Sequence, residues 1–207
     1  MRGQLTAKGK ATRNRIVEGA AAVLREKGVA SATLDDVMAR TRTSKSQLFH
    51  YFPAGKDELL VAVAQFEADQ ILEDQQPYLS CLDSWEAWAS WRDTVIKRYE
   101  AQGDACPLGS LFQQIGRSTP GARAIMIELT RQWQGSLAAG IRSLQASGRL
   151  PADVDVEARS AALLAAIQGG VSILLATGRS DHLRAALDQG IADLRRAGST
   201  VTGSTVA

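Results

Sequence analysis

Thr33-Leu34-Asp35-Asp36-Val37-Met38-Ala39-Arg40-Thr41-Arg42-Thr43-Ser44-Lys45-Ser46-Gln47-Leu48-Phe49-His50-Tyr51-Phe52 is the stretch that decides how this 207-residue chain reads. Thr33 ahead of Asp35 and Asp36 is an N-cap with acids in the first turn, where they meet the positive end of the helix dipole. Leu34, Val37 and Met38 give that short helix its apolar side, and it ends near Arg40. Ser44 with Gln47 three residues on has the form of a capping box and opens another short helix. Leu48, Phe49 and Phe52 are its expected apolar anchors, and Pro53-Ala54-Gly55 breaks it. Upstream, Ile16, Ala20, Val23 and Leu24 recur on one helical face, closed by Lys27-Gly28. Downstream, Lys56-Asp57-Glu58-Leu59-Leu60 opens a longer helix expected to reach about Gln76, before Pro77.

The remainder also reads as helix. Segments are expected over 84–102, from Pro107 onward, over 121–146, over 155–177 and over 180–196, with no strand-like alternation and no internal repeat. The uncharged run Ser160–Gly178 approaches the length of a membrane span. Its Ser160, Gln168, Gly169, Gly170 and Ser172 favour a helix buried against another helix, so no membrane partner is expected. Hydrophobic residues make up 45% and charged residues 22%, as in a soluble globular protein. Two cysteines, Cys81 and Cys106, and two histidines, His50 and His182, leave no disulfide framework and little for metal binding. There is no GxSxG, HExxH or P-loop pattern, so neither catalysis nor a cofactor is expected. Glu67, Asp69, Glu73 and Asp74 read as a solvated helix face rather than an acid–base pair.

Charge is unevenly placed. Residues 1–56 carry 11 Lys/Arg against 4 Asp/Glu, whereas residues 57–207 carry 13 against 18. A basic segment holding three short helices, the second and third joined by a tight turn, is a helix-turn-helix unit facing a polyanion. In that geometry the third helix enters the major groove, with Lys45, Ser46, Gln47, His50 and Tyr51 on its exposed face. Lys45 and Tyr51 suit phosphates, Gln47 suits adenine edges, and His50 suits either. Gln47 also has a competing role in the capping box. Thr33 and Lys56, each at a helix start, are placed to meet phosphates.

Thr33 through Val37, Thr43 through Phe52 and Lys56-Asp57-Glu58-Leu59 together resemble the DNA-binding domain of TetR-type transcriptional regulators. The resemblance covers roughly residues 10–62. Cys106-Pro107-Leu108-Gly109-Ser110 and Gln168-Gly169-Gly170 resemble a subgroup of multidrug- and flavonoid-responsive, LmrA-like repressors. Two positions depart from the family pattern: Arg42 stands where the turn usually holds Gly, and Met38 where a small Ala is usual. The loop Pro53-Ala54-Gly55 is also one residue longer than the commonest form.

The resemblance implies an all-α fold, with a helix-turn-helix domain over 1–56 and a larger ligand-binding and dimerisation domain over 57–197. Residues 198–207, rich in Gly, Ser and Thr, are expected to form a disordered tail. The implied protein is a cytoplasmic, homodimeric regulator, a repressor of a palindromic double-stranded operator that a small apolar or aromatic effector releases. A DNA-binding dimer without an effector is the alternative. The DNA-binding residues are then Thr33, Arg42, Thr43, Ser44, Lys45, Ser46, Gln47, His50, Tyr51 and Lys56. Trp85, Trp88 and Trp91 lie three apart on one expected helix and suit either core packing or a pocket for a flat ligand. Phe112, Trp133 and Gln168 are further ligand candidates. Gln168, inside an apolar helix, is equally suited to a dimer contact or a satisfied core position. The last two helices are expected to form the dimer interface, with Leu187 as an exposed position on it.

Overall fold

In a computed structural model, residues 5–102 and 120–199 are described. Their helices are α1 (Ala7–Lys27), α2 (Leu34–Thr41), α3 (Lys45–Tyr51), α4 (Lys56–Glu73), α5 (Trp85–Gln102), α6 (Pro120–Ala146), α7 (Val156–Thr177) and α8 (Asp181–Ser199). A 3-10 turn at Tyr78–Ser80 was not expected from the sequence, and no strand occurs among the described residues. α4 stops at Glu73, short of Gln76, and α8 continues through Gly198 into the segment expected as tail. The helix expected from Pro107, Cys106 and Phe112 lie outside the described residues.

The described residues form two compact units, 5–70 with 120–127 and 71–102 with 128–199. In the first, Thr6 caps α1 and Thr33 caps α2, each through its hydroxyl oxygen. Ile16, Ala20, Val37, Leu48, Phe52, Leu59 and Val63 are buried in one core that α1 to α4 enclose. Gly19 permits α1 and α2 to cross closely, since a Cβ there would lie 2.2 Å from Thr41 Cγ2. Phe49 departs from the expectation. It is 38% exposed, its ring lying beside Gly55 rather than in the core. Glu67 departs too: instead of facing solvent it is buried, and Arg25 of α1 donates to its Oε1 at 2.5 Å. A carboxylate taken out of water needs such a partner, so this pair ties α4 to α1.

The second unit is built on α5, the later part of α6, α7 and α8. Trp88, Trp91, Val95 and Tyr99 of α5, Trp133, Leu137 and Ile141 of α6, and Leu163, Ile167 and Leu174 of α7 are buried. Leu183, Leu187, Ile191 and Leu194 form the buried stripe of α8. Leu187 is therefore a core residue, not an exposed position: the spacing of that stripe turns it inward. At Gly170 a Cβ would lie 2.6 Å from Leu183 Cα, so α7 and α8 meet there backbone to backbone. Polar bonds edge the same packing. Arg92 of α5 grips Asp188 of α8 through two bonds of 2.8 and 2.9 Å, and Arg184 reaches Glu100 at 2.7 Å.

Two glycines of α6 make opposite predictions. Gly135 faces open space, whereas a Cβ at Gly140 would lie 2.5 Å from Leu82 Cβ and 3.1 Å from the Trp88 ring. Gly135→Ala is expected to stabilise the fold by up to about 1 kcal/mol through helix propensity. Gly140→Ala is expected to cost about 1–3 kcal/mol through overpacking. Urea unfolding followed by circular dichroism gives both signs, and equal effects would contradict the packing.

Candidate nucleic-acid interface

The turn between α2 and α3 sets the site. Arg42 is left-handed, at φ 49 and ψ 45. The Thr43 N–H donates to Met38 O at 3.0 Å and the Arg42 N–H to Ala39 O at 3.4 Å. Those two bonds are the Schellman ending of a helix, in which the left-handed position usually belongs to Gly. An L side chain there costs on the order of 1 kcal/mol. Hydroxyls hold the turn from inside. Thr41 Oγ1 lies 2.7 Å from Val37 O and 2.8 Å from Thr43 Oγ1. A hydroxyl has one proton, so Thr41 donates to the Val37 carbonyl and accepts from Thr43.

This geometry separates the expected DNA contacts. Arg42, Ser44, Lys45, Ser46 and His50 are exposed, and Gln47 and Tyr51 half-buried. Ser44 accepts the Gln47 N–H at 3.2 Å, which caps α3. The reciprocal half of the box is not formed among the described residues, so the Gln47 amide is not held by the cap. The His50 and Tyr51 rings meet edge to face at 4.9 Å. Thr43 is different: it is buried and its hydroxyl is engaged inside the turn, so its side chain shapes the site without facing solvent. Thr33 donates its hydroxyl to Asp36 at 2.8 Å and accepts the Asp36 N–H, and so serves the cap of α2. The Lys56 ammonium donates to Ala32 O at 2.6 Å and, more weakly, to Val29 O at 3.4 Å. It fastens the start of α4 to the loop before α2, a role that spacing alone did not reveal.

The positive charge is thereby sorted. Lys27 is paired with Asp36, Arg40 with Glu26 and Arg25 with Glu67. Lys8, Lys10, Arg15, Arg42 and Lys45 are exposed and have no ion-pair partner among the described residues. Arg13 lies over the Phe52 ring, 5.2 Å from its centroid. Cations on α1 and at the head of α3 are what a phosphate backbone meets.

The ligand candidates fall in the second unit. Trp88 and Trp91 are buried and stack edge to face at 5.6 Å. Trp88 Nε1 donates to Leu82 O at 3.1 Å and Trp91 Nε1 to Gln75 Oε1 at 2.8 Å. Trp85 is half-buried, with Arg195 over its ring at 5.2 Å. Trp133 is fully buried. Gln168, rather than sitting inside the unit, is exposed on α7 beside Gly169.

A compact helix-turn-helix with a basic, solvent-facing third helix defines a DNA-binding protein. Residues 16–63 match the family described as bacterial regulatory proteins of the tetR family, and residues 83–189 match the tetracyclin repressor-like C-terminal domain. The chain belongs to the TetR family and is a DNA-binding transcriptional regulator. It is 27% identical over 154 residues to the transcriptional regulator AcuR of Cereibacter sphaeroides, covering 72% of this chain and 69% of that one. Its fold is similar to a regulatory protein TetR from Rhodobacter sphaeroides, with TM-score 0.73, 21% identity and coverage of 87% and 97% of the two chains. It is also similar to SmeT, the repressor of the Stenotrophomonas maltophilia multidrug efflux pump SmeDEF, with TM-score 0.65, 21% identity and coverage of 89% and 91%.

The sorting of Lys45 from Lys56 is testable. If Lys45 holds a phosphate, Lys45→Ala flattens the log–log salt dependence of DNA affinity by roughly 0.9 per bound subunit. Lys56→Ala flattens it less and lowers the unfolding midpoint, because it unfastens Ala32 and Val29. Fluorescence anisotropy across a salt series, with thermal melts, separates the two; equal slopes for both variants would contradict the assignment.

The cap of α2 gives a pH prediction. Lys27, Thr33 Oγ1 and the Thr33 N–H all donate to the Asp36 carboxylate, in that order of effect, and hold its pKa at about 2, below the ordinary 3.8. A lowered folded-state pKa stabilises above the unfolded value and is lost as pH falls from about 3.8 towards 2. Asp36→Asn is expected to be less stable than the parent at pH 6 and to lose less stability across that acid window. Parallel urea titrations at pH 6 and pH 2.5 check this, and an unchanged difference between the two proteins would refute it.

Proposed function

We propose that this regulator is a homodimeric repressor that docks two α3 helices in successive major grooves of a palindromic operator and is released by a small, apolar effector. One observation carries the dimer. α7 has a mean hydropathy of 1.7 over its most apolar window, enough by length and composition to cross a membrane, yet only 39% of that window is buried within the subunit. Its outer face presents Ala161, Ala162, Ala165, Gln168, Gly169 and Ile173 to solvent, without a charge. An apolar face of this kind calls for a cover. Small side chains with one amide suit close approach by a second copy better than a lipid contact. A two-fold dimer would place the two α3 helices about 34–36 Å apart, one DNA turn.

Release then follows as a population shift. A ligand that favours a different α3 spacing lowers operator affinity by its differential affinity for the two forms, and operator weakens ligand binding by the same factor. The protein would act in the cytoplasm, where its operator lies. The satisfied indoles of Trp88 and Trp91 favour the second reading, a DNA-binding dimer with no effector, at least for that part of the stripe.

A gel shift with the DNA flanking its own gene, repeated with a panel of aromatic compounds, tests the proposal. A retarded band that an added compound abolishes supports it. Retardation that no compound changes favours the effector-free dimer. For the interface, Ile173→Glu replaces an outer-face residue that is 37% exposed, so the subunit fold tolerates it. The expected result is a monomer by sedimentation at micromolar concentration, with operator affinity lowered at least tenfold. A variant that remains dimeric and binds normally would exclude this face.

A further inference from the structure

Three tryptophans of the second unit are fully buried, and two of them explain the third. Trp88 Nε1 donates to Leu82 O and Trp91 Nε1 to Gln75 Oε1, while Gln75 Nε2 in turn donates to Ile71 O at 2.7 Å. Trp133 is buried as deeply, at 0% exposure. Its Nε1 is out of reach of solvent and has no hydrogen-bond partner among the described residues, the one buried side-chain polar atom there in that condition. An N–H stripped of water and given no acceptor carries the full desolvation penalty. Phenylalanine or leucine would fill an apolar core without it, so a demand is left open at that atom.

The surroundings restrict what could meet it. The atom is buried away from solvent, so bulk water does not serve it. Among the described residues of this unit, the buried polar side chains are Gln75 and Ser160, and Ser160 is bonded to Glu157 O. The one nearly buried cation, Arg98 with its side chain 6% exposed, is paired with Asp74 at 2.9 Å. Nothing described there stands ready to neutralise a buried anion or a buried cation, and burying either alone is costly. A neutral molecule with one good acceptor fits, and the carbonyl is the common neutral group that accepts strongly from an indole N–H.

We infer that Trp133 Nε1 is the donor that anchors a neutral, apolar, carbonyl-bearing effector in the second unit; this rests on the effector reading above. The indole N–H is sealed from solvent in this structure. A ligand reaches Nε1 only if the packing around it opens, and the bond it makes exists only in that opened form. That difference gives the ligand its preference between two conformations, which a shift of population requires.

The 207-residue protein labelled with 15N-tryptophan has four indole resonances, one for each of its four tryptophans, and Trp133→Phe assigns the relevant one. Acetophenone is the probe, and 2-phenylpropene, in which C=CH2 replaces C=O, is its control. In the free protein the Trp133 N–H is expected upfield of those of Trp88 and Trp91, and acetophenone moves it downfield while 2-phenylpropene does not. Trp133→Phe weakens acetophenone about tenfold, a change of ~1.4 kcal/mol, and leaves 2-phenylpropene unaffected. Trp91→Phe serves as a second variant: it strands Gln75 and lowers stability but keeps the downfield shift. A Trp133 resonance already at a hydrogen-bonded position in the free protein, no movement up to the solubility limit of acetophenone, or equal affinities in parent and Trp133→Phe would each overturn the inference. Operator affinity measured on the same samples keeps the two readings apart. A shifted Trp133 with unchanged operator binding upholds the site and removes release, while release without a change at Trp133 does the reverse.

Discussion

The left-handed turn at Arg42 is the constraint on which the DNA-binding unit depends. A helix can leave α2 in few directions, and the Schellman bonds from Arg42 and Thr43 select one of them. Thr41 and Thr43 hold that selection from the buried side, where water cannot compete for their hydroxyls. Gly19 lets α1 come close enough to Thr41 to seal the turn. With Arg42 in place of Gly, the backbone bears a cost on the order of 1 kcal/mol, which the hydroxyl pair and the buried Leu48 and Phe52 offset. In return a cation stands at the solvent edge of the turn, immediately before α3.

α4 is held to that unit by two polar ties. Lys56 binds the carbonyls of Ala32 and Val29 at its first turn, and Glu67 meets Arg25 three turns later. Past these ties the same chain enters the second unit, where Gln75 accepts from Trp91 and donates back to the Ile71 carbonyl of α4. A chain of hydrogen bonds thus joins Trp91 to the end of α4. The ties at Lys56 and Glu67 fasten that helix to the loop before α2 and to α1.

Helix boundaries were legible wherever a cap announced them. Thr33 with Asp36, Ser44 with Gln47, Gly28 and Gly178 are local signals, and each acts within a few residues of where it stands. The helix-turn-helix was legible for the same reason. Orientation was harder. Leu187 was expected as an exposed interface position and Phe49 as an apolar anchor, yet Leu187 is core and Phe49 meets solvent; a rotation of one residue on a helix is 100°, and only packing settles it. For Gln168 the sequence left a ligand contact, a dimer contact and a core position equally open; the structure places it exposed on an uncharged face of small side chains, not in the core of the subunit. Glu67 was read as part of a solvated face and Lys56 as a phosphate contact, because their partners in the fold, Arg25 and the carbonyls of Ala32 and Val29, lie 24 to 42 residues away in sequence. No local rule sees across that separation.

Hydroxyl-radical footprinting of the protein on the DNA flanking its own gene tests the central claim most directly, because it reads where the protein meets the duplex without assuming an effector. Two two-fold-related zones of protection are expected, on one face of the duplex and centred one helical turn apart, about 34–36 Å. Arg42 and Lys45 variants should lose protection in both zones together. A single unsymmetrical zone, or two zones whose separation does not match a whole number of turns, would contradict a dimer reading successive major grooves with α3.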